Sequence, residues 1–176
     1  KSGDTVFNQE LCPDLVPMLY DEAMKAGVQI LTYQGDGIAA TKADDEYVEH
    51  EAFINKMPVV EYSDFKNQVE YPINKCLIVG DPEPLHKLEL KLAAEMEGKI
   101  SVYRSAPFFL ECVPLGIEKS QSIDKLIKTI GVKQEEVIAV GDGYNDMGMI
   151  QYAGLGVAMA NDEEEVKTAD NYVTLS

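Results

Sequence analysis

Asp142, Asn145 and Asp146 put two carboxylates and an amide within five residues, directly after the apolar run Val137-Ile138-Ala139-Val140. A short Val/Ile run ended by glycine reads as a buried parallel strand, and Met147 to Tyr152 has the length and apolarity of a returning helix. Ligands in open α/β sheets gather where such strands end. Asp142 then leaves the strand pointing into a crevice, Gly141 and Gly143 permit a tight backbone, and Asp146 returns about one helical turn later. Mg²⁺ takes one or two carboxylates and completes its shell with waters and phosphate oxygens, which suits this donor count. The chemistry in outline is that of a metal and phosphate site. The competing reading makes Asp142 and Asn145 plain caps of the following helix. The alternating acids and distal Glu of an EF-hand are absent.

The surrounding chain supplies the elements that must hold these groups. Cys12 to Ala26 has helical spacing, with Pro13 near its start and Gly27 past its end. Val28 to Tyr33 reads as a strand that turns at Gly35-Asp36-Gly37 into a second one, Ile38 to Thr41. Asp44 to Asn55 is helix-like and Met57 to Val60 extended, followed by a polar connection from Tyr62 to Tyr71 and a strand over Cys76 to Val79. Pro82 and Pro84 open an amphipathic helix that runs through Glu97 and stops at Gly98. Ile100 to Arg104 and Phe108 to Val113 form an antiparallel pair across Ala106-Pro107. Helices alternating with hairpins suit an α+β domain.

Composition bounds the function. The 176 residues are 45% hydrophobic, enough for one ordinary domain or two small lobes. A formal net charge of −16 argues against nucleic-acid and anionic-membrane partners, which reward clusters of Lys and Arg. No apolar stretch approaches a membrane span and no signal peptide opens the chain. Cys12, Cys76 and Cys112 are widely spaced, without a Cys-x-x-Cys pair, and read as free thiols in a reducing cytoplasm. His50 and His86 are too far apart for a helical metal pair and read as ordinary residues. Arg104, the chain's one arginine, reads as a surface salt bridge or, alternatively, a grip on a substrate hydroxyl or second phosphate.

The wider pattern resembles a known family. Pro114-Leu115-Gly116-Ile117-Glu118-Lys119-Ser120 precedes a helix-like Ser122 to Lys128, then Gly131-Val132 and the acidic strand. Ala153-Gly154-Leu155-Gly156-Val157-Ala158-Met159-Ala160-Asn161 and Val166 to Thr174 follow. In order and spacing, residues 111 to 174 resemble the Cof-type sugar-phosphatase branch of the haloacid dehalogenase-like superfamily. Val79-Gly80-Asp81-Pro82-Glu83 and Tyr103 to Glu111 resemble that family's large cap more loosely.

The resemblance implies an α/β fold: a partial Rossmann-like haloacid dehalogenase core with a large α+β cap domain. Residues 1–9 would connect from an N-terminal part of the core, 10–112 would form the cap that selects substrate, and 113–176 the C-terminal part of the core, with Pro114-Leu115-Gly116 as hinge. It also implies Mg²⁺-dependent hydrolysis of small phosphorylated metabolites, with sugar phosphates expected, through an aspartyl-phosphate intermediate in a cytoplasmic enzyme. Lys119 would steady the nucleophile and bind phosphate, Asn145 would face the phosphate, and Asp142 would ligate the metal directly. Asp146 would orient metal-bound water or hold Lys119.

Three features depart from the family pattern. Ser120 stands where glycine is usual, and Asn161-Asp162 replaces Asn-Ala. Asp162 to Glu165 reads more simply as an exposed helix start. The third departure is larger, because no Asp-x-Asp pair follows a hydrophobic strand. The chain therefore reads as a piece of a longer enzyme, trimmed at both ends, without the nucleophile and inactive alone. The alternative function is a non-catalytic metabolite-binding or interaction module that keeps the cap fold.

Overall fold

A computed structural model describes residues 5, 7–142, 144–159 and 172–174. The chain divides into two compact units, Gln9–Leu115 and Gly116–Ser176 together with Lys1–Asn8.

In the larger unit a 3-10 turn over Pro13–Leu15 leads into α1 (Val16–Ala26), which Gly27 closes in the left-handed conformation, φ 74°. Strands β1 (Gln29–Gln34) and β2 (Gly37–Ala40) form a hairpin in which Gln34 pairs with Gly37. The tight turn is therefore Gly35-Asp36, one residue earlier than Asp-Gly would place it. Gly35, at φ 56°, takes the positive angle at the first central position. Helix α2 (Glu46–Asn55) starts where the Asp45 carboxylate accepts from the N–H groups of Tyr47 and Val48, at 3.0 and 3.3 Å. Then come β3 (Val59–Glu61), the single turn α3 (Phe65–Gln68), β4 (Cys76–Val79), α4 (Pro82–Glu95), β5 (Ile100–Ala106) and β6 (Phe109–Pro114).

The sheet order is β3-β2-β1-β4-β6-β5, antiparallel except between β2 and β3. Period-two alternation sends successive residues to opposite faces. Ile30, Ile78 and Leu110 join the side where Leu19 of α1, Phe65 of α3 and Leu85, Leu88 and Leu92 of α4 are buried. Leu31, Leu77, Val79 and Phe109 join the other, where Val48 of α2 packs. Phe65 is fully buried, which at common transfer values contributes about 1.5–3 kcal/mol. Pro114 is the last residue of β6, paired with Ile100, so the boundary between units falls at Leu115/Gly116, a little beyond the expected 112/113.

Arg104 binds Glu89 of α4 (Nε to Oε2, 2.7 Å) and lies 3.1 Å from His86 Nδ1, which is the salt-bridge reading of this residue. His50 is stacked on Phe109 and meets Phe108 edge-on. The three cysteines are free thiols, Cys76 and Cys112 buried as direct neighbours on β4 and β6. Burial pushes the Cys76 thiol up to about 12.

The smaller unit is built differently. Helix α5 (Lys119–Ile130) precedes three parallel strands, β7 (Ile138–Gly141), β8 (Leu155–Ala158) and β9 (Tyr172–Val173), in that order across the sheet. Between β7 and β8 lie a 3-10 turn over Tyr144–Asp146 and α6 (Met147–Tyr152). Small residues let helix and sheet approach: Ala158 is buried against Ile150 of α6. The larger side chains of the same strands point the other way, with Ile138 66% and Val140 52% exposed. Among the described residues no helix is long and apolar enough to cross a membrane. Gly143 and residues 160–171, which include Asn161 to Glu165, lie outside the described residues.

Candidate functional site

The acidic strand end comes together with Lys119. β7 ends at Gly141, and the backbone passes Asp142, whose side chain is exposed, before reaching Asp146 at the start of α6. Asp146 is only 6% exposed, and both of its oxygens are occupied. Oδ1 is paired with the Lys119 ammonium, and Oδ2 accepts from the Asp142 N–H at 3.1 Å. A buried carboxylate is tolerated only when paired and hydrogen-bonded, and these two contacts meet that requirement.

Gly141 makes the arrangement possible. A Cβ at that position would lie 2.4 Å from the Asp146 Cβ and 2.9 Å from its Oδ2. Any side chain would drive Asp146 out of its place beneath the strand end.

Lys119 is the first residue of α5, which starts three residues earlier than the helix-like pattern from Ser122 implies. Glu118 is extended and makes no side-chain cap, while its carbonyl accepts from the Ser122 N–H at 3.0 Å. A lysine in a first turn opposes the helix dipole. Asp146 offsets that cost and holds the ammonium, about half exposed, at the helix start. First-turn N–H groups, which have no intrahelical partner, and a cation at one helix N-terminus make an anion-binding arrangement.

Two further contacts fix α5 against α6. Ser120, where the family has glycine, faces Gly148: its Oγ would be 3.3 Å from a Cβ there, so the missing side chain at 148 makes room for the one at 120. The Tyr152 hydroxyl donates to Asp124 at 2.7 Å. Lys128 and that tyrosine hold the Asp124 carboxyl below its usual range, so it remains an ionised acceptor.

Lys119, Asp142 and Asp146 are thus brought together, and Asn145 sits exposed in the adjoining 3-10 turn. Among the described residues no three metal-capable side chains form a group. With Asp146 committed to Lys119 and the Asp142 N–H, Asp142 is the exposed carboxylate of the cluster that could hold a cation. That fits Mg²⁺, which needs few protein carboxylates when phosphate and water supply the remaining oxygens. The part played by Gly141 and the double engagement of Asp146 were not anticipated from sequence. The one available signal was a glycine at a strand end with an acid five residues on.

The whole chain, residues 1–176, matches the haloacid dehalogenase-like hydrolases, and it belongs to that family. A haloacid dehalogenase-like hydrolase from Bacteroides thetaiotaomicron shares 48% identity and superimposes with a TM-score of 0.86, covering 96% of this chain and 63% of the other. The TM0651 protein of Thermotoga maritima shares 27% identity at a TM-score of 0.78, over 98% of this chain and 65% of its own. Among curated proteins, the Bacillus subtilis protein named "Putative phosphatase YxeH" is 29% identical over 180 residues, which is 99% of this chain and 65% of that protein. The chain therefore spans just under two thirds of these relatives.

Proposed function

We propose that these residues are the substrate-selecting cap and the C-terminal part of the catalytic core of a Mg²⁺-dependent phosphatase. Its substrates are small phosphorylated metabolites, sugar phosphates in particular, hydrolysed through an aspartyl-phosphate. The observation that carries the reading is the Lys119–Asp146–Asp142 cluster at the carboxyl end of a parallel strand, in a chain of this family. Relatives named as phosphatases support it.

In this reading Asp142 ligates the metal, and Asp146 acts on it only indirectly by fixing the Asp142 backbone and the Lys119 ammonium. Lys119 and the α5 N-terminus receive the phosphoryl oxygens, and Asn145 faces the same group. Bound Mg²⁺ supplies charge neutralisation on the transferring phosphoryl group. The carboxylate nucleophile is assigned to a part of the whole protein outside these residues, because no Asp-x-Asp occurs here after a hydrophobic strand. Place of action is proposed as the cytoplasm, without a nucleic-acid or membrane partner.

The test is a comparison of metal binding with turnover in the whole enzyme. Lys119→Ala should slow hydrolysis by on the order of a hundredfold or more while Mg²⁺ affinity, read by calorimetry, stays within a few-fold. Unchanged turnover in Lys119→Ala would remove the reading.

A further inference from the structure

The larger unit carries a groove of about 480 Å³ lined by α1 and α4. Three of the chain's 15 basic residues, Lys25, Lys87 and Lys91, stand around it in a protein whose formal charge is −16. Two carboxylates share the groove. Glu22, largely buried, accepts from Lys25 at 2.7 Å and also binds Lys91, so one carboxylate on α1 holds an ammonium from each helix. Glu83 pairs with Lys87 at 2.8 Å, one turn away on the exposed side of α4. Ala26, Pro84 and Leu88 supply an apolar floor.

Helix-to-helix ion pairing alone would account for Lys91 and Glu22, but it does not account for the rest. The volume lies in the range of small-molecule sites, about 300–1,000 Å³. Each lysine ammonium has three donors, and the carboxylates here take one from each, so donors remain for a ligand. The Lys87–Glu83 pair is solvent-exposed and weak, so a more highly charged acceptor displaces the carboxylate at little cost. Glu22 fixes two cations before any ligand arrives, and such pre-organisation lowers the entropy cost of binding. The two lysines hold the Glu22 carboxyl below its ordinary range, and Glu22 raises the Lys91 ammonium, so this carboxylate and the ammonium from α4 stay paired as ions at neutral pH.

We propose that this groove binds a small di- or triphosphate, with Lys87 and Lys91 contacting its phosphoryl oxygens and Glu22 positioning Lys91 and Lys25. Three lysines face the two lining carboxylates and Glu95 also acts on Lys91, so selection of a compact, highly charged anion over a neutral sugar rests on the ammonium donors these carboxylates leave over. The site is independent of the phosphatase reading, since Lys119, Asp142 and Asp146 do not line it.

Calorimetric titration of tripolyphosphate into the 176-residue protein, without divalent metal and at low salt, tests it. Expected is saturable one-to-one binding that weakens as salt screens the charges. Lys87→Glu and Lys91→Gln should each weaken it tenfold or more, whereas Lys119→Ala should leave it within twofold. Lys87 is highly exposed, so its reversal carries no folding risk; thermal unfolding controls for the Lys91 variant. Absence of saturable binding at millimolar anion, or binding lost in Lys119→Ala and kept in Lys87→Glu, would overturn the proposal.

Discussion

Each unit of this protein contains a strand that ends in Val-Gly-Asp before a helix: Ile78-Val79-Gly80-Asp81 at β4 and Ala139-Val140-Gly141-Asp142 at β7. Both glycines are required by a close approach, yet by different neighbours. A Cβ on Gly80 would lie 2.5 Å from Val28 Cγ1, a core side chain, whereas one on Gly141 would meet the carboxyl-bearing Asp146. The aspartates then diverge. Asp81 precedes α4 and accepts from the Tyr47 hydroxyl at 2.9 Å, while Asp142 donates its N–H to Asp146, which in turn holds Lys119. The same Val-Gly-Asp pattern closes a core in one unit and assembles a charged cluster in the other. What fills the space vacated by the glycine decides which, and that neighbour is 52 residues away in sequence for Gly80 and five for Gly141.

The largest difference should appear in turnover. In the whole enzyme Asp142→Ala is expected to lower Mg²⁺-dependent phosphatase activity by on the order of a hundredfold or more. Asp81→Ala should leave kcat within twofold, and equal losses in steady-state assays would dissolve the distinction between the two strand ends.

Alanine at the glycines sharpens the contrast. Both Gly141→Ala and Gly80→Ala should destabilise by about 1–3 kcal/mol through overpacking, measured by urea unfolding. Only Gly141→Ala should also abolish turnover, because only there is the displaced group part of the charged cluster.

Removing the partner of each carboxylate gives a smaller and unequal pair of effects. Lys119→Ala leaves the buried Asp146 with a single N–H donor and should cost about 1–3 kcal/mol. Tyr47→Phe leaves Asp81 to water and should cost at most about 0.5 kcal/mol in thermal unfolding.

The smallest effect concerns alkaline pH. The hydrogen bond to Asp81, and lesser burial, raise the Tyr47 phenol above its ordinary value; the bond to Asp124 does the same for Tyr152 in the smaller unit. A raised folded value means the contribution is fully present below the unfolded pKa of about 10 and is lost as pH rises through the folded one. Asp81→Asn should move one tyrosine's ultraviolet titration downward and leave the Tyr152 step alone.

Elements with their own stop signals were legible in the sequence. Pro13 and Gly27 bracket α1 and its preceding turn, and the Leu85, Leu88, Leu92 spacing on α4 matches the face it buries. Cys76–Val79 was readable as a strand because four consecutive apolar residues fill both faces of a central position. The start of α5 was missed because Glu118 offers no side-chain cap to mark it. Insertion of β4 between β1 and β6 could not be read, since it depends on pairings between residues some 30 to 50 positions apart. The proximity of Lys119 to Asp146 came only with the family resemblance. Nothing in local periodicity links positions 27 residues apart, and Asp146 looks like any helix-start acid until Gly141 is seen to make room for it.

The outward Ile138, Val140 and Leu155 of the small parallel sheet should also govern how these 176 residues behave in concentrated solution. Parallel sheets are ordinarily covered on both faces, and here three large aliphatic side chains of β7 and β8 meet solvent. Copies that could bury them against one another should repel through a formal charge of −16 each. Salt shortens that repulsion to about 10 Å at 0.1 M and leaves the apolar attraction intact. Light scattering should therefore show particles growing with added sodium chloride, the reverse of what an association driven by opposite charges would do.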